Sequence, residues 1–158
     1  MRKRKILLVF CLSVTIILLS NCRGSFVRTE ETMNLNTFLE LTEENEFSFI
    51  ADKAKFDGLL NGQLHTVYIG SSRLNIYEYD SHEAMLIDSS LVGENGSSIS
   101  SIADPSLDDS SFKITYFSWA SPPHWFKRDL IIVLYVGTNN QIINFLHENF
   151  ELFAGRGF

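Results

Sequence analysis

Three side chains at the start of one predicted helix have the chemistry of a metal or acid–base site. Asp80, His82 and Glu83 bring two carboxylates and an imidazole close together along the chain, and such groups bind divalent metals. A second histidine four residues further on, which would complete a helical ligand pair, does not occur. Asp80 and Ser81 also suit a helix N-cap, and Glu83 there complements the helix dipole. Capping is therefore the favoured interpretation, and no metal or cofactor is predicted.

A hydrolytic triad could be assembled on paper from the remaining histidines, Asp80 and one of the many serines. His65 and His124 would supply the base. A Gly-x-Ser-x-Gly turn, which presents the nucleophile in many hydrolases, does not occur. A phosphate-binding loop and a dinucleotide fingerprint are missing as well. These observations favour a non-enzymatic domain.

An aromatic cluster between two predicted strands is the candidate binding surface. The segment Pro-Pro-His-Trp-Phe-Lys contains His124, Trp125 and Phe126, and Trp119 precedes it by three residues. Large aromatic side chains in a turn offer apolar contact area at low entropic cost. The alternative is structural: the aromatic rings fold over the sheet edge, and His124 hydrogen-bonds the turn.

Composition and charge limit the class of partner. The 158 residues are 45% hydrophobic and include 13 Phe, which is a globular composition. The only charges in the first 21 residues are the four basic ones at 2–5, so the remainder has 9 basic and 19 acidic residues, a net charge of −10. A domain with this negative charge is a poor candidate for binding nucleic acid, because neutralisation of phosphates by basic residues supplies much of the affinity of proteins for nucleic acid. Anionic lipid headgroups should repel it too.

The N-terminus has the pattern of an export signal. After the basic start, residues 6–20 (ILLVFCLSVTIILLS) carry no charge. A helix needs about 20 apolar residues to cross a bilayer, so this run is short for a transmembrane span and fits the core of a signal peptide. Cys11 would leave with the signal, so the mature domain would have no disulfide.

Leu19-Ser20-Asn21-Cys22 resembles the lipobox of bacterial lipoproteins. Leu19 and Ser20 match that pattern, whereas Asn21 stands where a smaller residue is usual. The resemblance implies cleavage before Cys22 and acylation of its thiol, which would hold the protein on the extracytoplasmic face of the cell membrane. An uncleaved signal anchor and a plain secreted protein remain as alternatives. The acylated lipoprotein and the uncleaved signal anchor would both place the residues after 22 outside the cell.

Apolar patterning predicts the elements of the mature chain. We expect helices at 36–44, 82–92 and 140–150, and strands at 65–69, 74–79, 112–119 and 130–136, with a short further strand around Ile99 and Ile102. Phe49, Phe56 and Leu60, at i, i+7 and i+11, predict another helix that ends near 61–62. The unbroken apolar run 130–136 (LIIVLYV) is typical of a central strand buried on both faces.

The strong elements follow the order β-β-α-β-β-α. This order favours an α+β fold, a two-layer sandwich in which a mainly antiparallel sheet carries the helices on one face. We expect a signal peptide at 1–21, a tether at 22–34 and a single globular domain at 35–158.

Several segments together resemble a family of small lipoproteins of unassigned function from Bacillus-type bacteria. They are FIADKAKFDGLLNGQ, RLNIYEYDS, SWASPPHWFKRDLIIVLYVG and the closing FAG, and the resemblance covers residues 49–155. It implies export and a single domain, and it implies no activity.

The predicted function is that of a lipid-anchored extracytoplasmic binding or interaction domain. Its partners would be the membrane, through the N-terminal lipid, and a protein or envelope component, with no nucleic acid. One alternative is a small envelope hydrolase or metal-dependent enzyme that uses Asp80, His82 and His124. The other is a structural accessory subunit of an envelope complex.

Overall fold

The computed structural model describes residues 31–53, 58–102 and 112–155. From Thr32 onward these residues belong to one compact unit, Thr32–Phe158. The predicted signal peptide, Cys22 and Phe56 lie outside the described residues. None of the helices in the described ranges is long and apolar enough to cross a membrane.

Six strands in the described part of the chain form one antiparallel sheet. They are β1 (Phe49–Lys53), β2 (Gln63–Ile69), β3 (Ser72–Glu78), β6 (Pro123–Arg128), β7 (Ile131–Val136) and β8 (Glu151–Gly155). The strand order is β1-β2-β3-β7-β6-β8, and all neighbours are antiparallel. Two further strands, β4 (Ser98–Ile102) and β5 (Phe112–Tyr116), pair with each other in a second sheet. The predicted α+β fold with a mainly antiparallel sheet is confirmed.

Each helix begins at a residue whose side chain caps it. The helices are α1 (Leu35–Glu44), α2 (His82–Leu91) and α3 (Asn140–Asn149). Asn34, Ser81 and Asn139 accept hydrogen bonds from backbone N–H groups of the respective first turns, which have no partner within the helix. The three helices agree with prediction to within one residue at each end.

Strand β7 divides the hydrophobic core in two. Ile131, Val133 and Tyr135 belong to the core on the first face of the sheet. Ile132 and Leu134 belong to the core on the second face. Alternate side chains of a strand point to opposite faces, so the prediction of a central strand buried on both faces is confirmed.

The helices cover both faces of the sheet. Phe38 of α1 and Ile142 of α3 lie in the first core, whereas Met85 of α2 and Ile99 of β4 lie in the second. The finer expectation that the helices share one face is therefore wrong. A sheet whose central strands are apolar on both faces must be covered on both faces. Here α1 and α3 cover the first face, and α2 together with the β4–β5 pair covers the second.

The predicted helix that includes Phe49 is an edge strand instead. Phe49–Lys53 forms β1 and pairs with β2 over all five residues. Phe49 packs against the first core and Leu60 lies in the second. The spacing of these apolar residues imitates a helical stripe, but backbone pairing with β2 determines the conformation.

Strand β6 begins at Pro123, between the predicted strands 112–119 and 130–136, where no strand was expected. Proline is tolerated at the first position of a strand, since no ladder N–H is needed there. β5 ends at Tyr116, three residues before its predicted end. Strand β8, which is the edge strand next to β6, was not predicted.

The domain begins slightly earlier than predicted. Met33 is buried in the first core. Its backbone N–H donates to Asp129 Oδ2 at 2.8 Å, and its carbonyl accepts from the Leu130 N–H at 3.1 Å. Met33, assigned to the tether from the sequence, is thus held at the turn between β6 and β7.

Candidate functional site

The predicted acid–base group at the start of α2 serves the helix and its neighbouring turn. Ser81 Oγ caps α2 by accepting from the Ala84 N–H at 3.2 Å. His82 Nδ1 lies 2.9 Å from the carbonyl oxygen of Asp129, to which it donates when protonated there. Glu83 lies exposed in the first turn. In the described ranges, no group of three or more His, Cys, Asp or Glu residues could hold a metal ion.

His124 lies at the opposite end of β6 from the turn that His82 contacts. His124 is buried, its Nε2 lies 3.2 Å from the Gly137 carbonyl oxygen, and its ring stacks on Tyr135. Asp129 lies five positions after His124, just past the end of β6, and this is a distance of about 16 Å in an extended strand. Asp80, His82 and His124 therefore do not converge on one reacting centre.

His65 is also remote from that group. It is a buried residue of β2, and its Nε2 lies 3.3 Å from Glu78 Oε2. Glu78 Oε1 also accepts a hydrogen bond from the Leu35 N–H at 3.0 Å. Glu78 therefore joins β2 and β3 to the start of α1, which is a structural role.

The predicted aromatic surface is not a surface. Trp125 and Phe126 are fully buried on opposite faces of the sheet, because β6 lies between β7 and β8 and its side chains alternate. Trp119 is part-buried. The indole N–H groups of Trp119 and Trp125 both donate to the carbonyl oxygen of Gly96, each at 3.0 Å. Trp119, His124, Trp125 and Phe126 thus hold the fold together and offer no common contact face.

A buried carboxylate that sequence reasoning did not single out lies under α2. Asp88 is 2% exposed. It accepts hydrogen bonds from the Tyr79 hydroxyl at 2.9 Å and from the backbone and side-chain N–H groups of Asn61 at 2.6 and 2.8 Å. The sequence offers a signal for this group, namely an aspartate on the apolar side of a helix. Such a carboxylate is buried on folding and therefore requires hydrogen-bond donors in the core.

Burial and the neighbouring carboxylate fix the protonation of Tyr79. Burial first, and then the charge of Asp88, raise the pKa of the Tyr79 hydroxyl well above its usual range. The phenol therefore remains a protonated hydrogen-bond donor. Asp88 accepts hydrogen bonds from three donors, so the pair is suited to fixing structure.

The Asp88 cluster forms part of a cleft of about 640 Å³, which we call cleft A. Cleft A lies between the 61–64 segment, the end of β3 and one side of α2. Its buried members include Leu64, Tyr79 and Asp88, and its exposed members include Lys53 and Asp80. The mixture of apolar and charged groups suits binding.

A second cleft of about 560 Å³, cleft B, lies on the other side of α2. Met85 and Phe150 are its buried apolar members. The cations of cleft B are already engaged. Lys127 Nζ lies 3.5 Å from Glu151, and Arg128 lies 3.8 Å from Asp129 and donates to the Asn149 carbonyl oxygen.

The outer face of α2 differs from those of the other two helices. Leu86 is 42% exposed and Ile87 is 58% exposed; we call this pair the α2 ridge. Leu86 lines cleft B and Ile87 lines cleft A, so the ridge separates the clefts. The exposed residues of α1 and α3 are polar or charged throughout: Asn36, Glu40, Glu43, Glu44, Asn140, Gln141, Asn144, His147 and Glu148.

The chain was compared with family models, curated proteins and solved structures, and none of them matches it. The resemblance to small Bacillus-type lipoproteins stays a prediction.

Proposed function

We propose that this protein is a lipid-anchored interaction domain of the extracytoplasmic membrane face, which binds a protein or envelope partner through the α2 ridge. The observation that carries the proposal is the exposure of two adjacent large aliphatic side chains between two clefts. The domain contributes a contact surface and no catalytic group.

Support for the anchor comes from the sequence. The short apolar run 6–20 is followed by Asn21 and then by Cys22, where acylation would occur. A mature part with a net charge of −10 has no attraction to anionic headgroups, so membrane residence would depend on the lipid.

Metabolic labelling with a fatty-acid analogue tests the anchor. The wild-type chain should incorporate the label and sediment with membranes, whereas Cys22→Ser should do neither. An unlabelled wild-type chain in the cytosolic fraction would contradict this part of the proposal.

Support for binding comes from the position of the ridge. Single exposed apolar residues are ordinary on protein surfaces, so exposure alone would carry no weight. Leu86 and Ile87 are adjacent, and each borders a cleft with buried apolar members, Met85 in cleft B and Leu64 in cleft A. Contacts with both clefts would remove this surface from water, and that is the main source of binding free energy.

Support for a non-enzymatic role comes from the contacts of the candidate catalytic groups. His82 hydrogen-bonds a turn and His124 stacks within the core. Tyr79 donates to Asp88, which also accepts two hydrogen bonds from Asn61. Each of these groups already has a structural task.

Affinity capture of the full membrane-anchored chain tests the binding surface. We expect the double variant Leu86→Ser, Ile87→Ser to lose partners that the wild type retains. The matched control is Ile114→Ser, Tyr116→Ser, which removes two other exposed apolar residues, on β5. Capture that is the same for all three chains would refute the role of the ridge.

A further inference from the structure

We infer that the partner of the α2 ridge presents a basic amphipathic segment, with apolar residues on one side flanked by lysine or arginine. This inference rests on the proposed function and adds the chemistry of the partner to it.

The shape of the site supports an elongated apolar partner. Leu86 and Ile87 project from the outer face of α2, with cleft A on one side and cleft B on the other. A segment with apolar side chains at i, i+3 and i+4 could straddle the ridge and reach both clefts, as amphipathic helices do in apolar grooves.

The charges around the ridge select a cationic partner. Glu83 precedes Leu86 and Ile87 by one helical turn, so the three side chains share the outer face of α2. Exposed carboxylates also stand in each cleft, Asp80 in cleft A and Glu148 in cleft B. Among the described residues, none of these three carboxylates forms an ion pair.

The nearby basic side chains do not reverse this charge. In cleft B, Lys127 and Arg128 lie beside the carboxylates of Glu151 and Asp129. Cleft A is lined by Lys53 together with Asp80 and the buried Asp88, and by Glu78, whose carboxylate contacts His65 and the Leu35 N–H. Cleft B is also lined by His82 and His147. Counted as Asp and Glu against Lys and Arg, acidic residues outnumber basic ones in both clefts, so a partner with positive charge gains attraction and a faster encounter.

A second copy of the chain and a lipid surface fit the ridge less well. A two-fold interface would place the same patch on both subunits, so Asp80, Glu83 and Glu148 would approach their own copies or one another. Anionic headgroups would meet the same carboxylates. Both arrangements bring like charges together, which is unfavourable.

Peptide titration against the full chain in phosphatidylcholine nanodiscs tests the inference. The probe is a fluorescent Leu/Lys peptide with leucines at i, i+3, i+4 and i+7, and its counterpart has Glu in place of Lys. With the signal from empty nanodiscs subtracted, the Lys peptide should bind and the Glu peptide should not. Added salt should weaken the complex.

Two sets of variants assign the effect to the ridge and to its charges. Leu86→Ser, Ile87→Ser should weaken binding of the Lys peptide at least about tenfold, because two aliphatic contacts are lost. Asp80→Asn, Glu83→Gln, Glu148→Gln should weaken it at low salt and flatten the salt dependence. Ile114→Ser, Tyr116→Ser should bind as the wild type does, and unchanged near-ultraviolet circular dichroism should show that each variant is folded.

Several results would overturn the inference. Equal binding of the Lys and Glu peptides, or equal binding by the wild type and the ridge variant, would contradict it. Ridge-dependent self-association in the absence of peptide would identify a second copy as the occupant. If the Lys peptide fails while affinity capture still depends on Leu86 and Ile87, the partner chemistry is wrong and the proposed function stands. If both tests fail, both proposals fall.

Discussion

The hydrogen-bonded pair of Tyr79 and Asp88 shows, at the scale of single residues, how a buried polar group finds its partners. In the predicted helix 82–92, Asp88 follows Met85 by three residues, so helical spacing places both on one side of the helix. Asn61, which donates to Asp88, lies 27 residues away along the chain, and no local pattern connects the two. The sequence thus predicts a buried carboxylate that needs partners, but the fold alone supplies them.

The raised pKa of Tyr79 predicts a loss of stability in alkali. In the unfolded chain the phenol ionises with its ordinary pKa of about 10, whereas the folded protein holds it protonated. The contribution of Tyr79 is therefore fully present below pH 10 and falls as the pH rises, by up to about 1.4 kcal/mol per pH unit. Urea unfolding between pH 9 and pH 11 would measure the slope of the free energy of unfolding.

Tyr79→Phe is the control for this alkaline slope. It lacks the ionisable hydroxyl, so its free energy of unfolding should fall less steeply than that of the wild type above pH 10. Parallel slopes for the two proteins would show that Tyr79 is not held protonated by the fold.

Strand β6 shows at the scale of elements why the candidate binding surface was misplaced. Two prolines before an aromatic pair have the pattern of an exposed turn, and local propensity gives no reason to choose otherwise. Pairing with β7 and β8 makes the segment an interior strand and sends Trp125 and Phe126 into different cores. In contrast, β2, β3, β7 and the helices have strong local signals, and they were predicted well.

The α2 ridge was within reach of the sequence. In the predicted helix 82–92, helical spacing places Ala84, Met85 and Asp88 on one side, which leaves Leu86 and Ile87 on the other. A helix with aliphatic residues on both sides is a recognisable pattern. The two clefts beside it depend on distant segments, so they require the structure.

Gly96 is the backbone point at which the hairpin and the main sheet meet. Its carbonyl oxygen accepts from both Trp119 and Trp125, and its φ is +68°. A Cβ atom at Gly96 would lie 2.9 Å from Trp125 Cδ1 and 3.0 Å from Gly155 Cα. We expect Gly96→Ala to lower the free energy of unfolding by about 2 kcal/mol or more, through backbone strain and crowding.

Gly70→Ala is the matched control for Gly96→Ala. Gly70 also has a positive φ, +59°, but nothing lies within 4 Å of a Cβ atom there. Its cost should be only the conformational term of about 1 kcal/mol. Denaturant midpoints that drop equally for the two variants would contradict the packing role given to Gly96.

Met33 marks, at the scale of the whole molecule, where the predicted tether gives way to the domain. We expect Met33→Ala to cost about 2 to 5 kcal/mol of stability, as for other buried methionines. Thr32→Ala, at an exposed neighbour, should stay within about 0.5 kcal/mol. Thermal unfolding of the two variants shows whether the domain begins before or after Met33. A Met33 variant as stable as the wild type would place the start of the domain at Leu35.

The whole molecule, as proposed, combines an acylated Cys22 with an acidic domain whose contact surface is the α2 ridge. Photo-crosslinking in intact cells tests this account most directly, with a photoreactive phenylalanine at Ile87 in one full-length chain and at Ile114 in the other. The account predicts a covalent adduct with a partner polypeptide in the membrane fraction from position 87 and none from position 114. Adducts from both positions alike, or none from position 87, would contradict it.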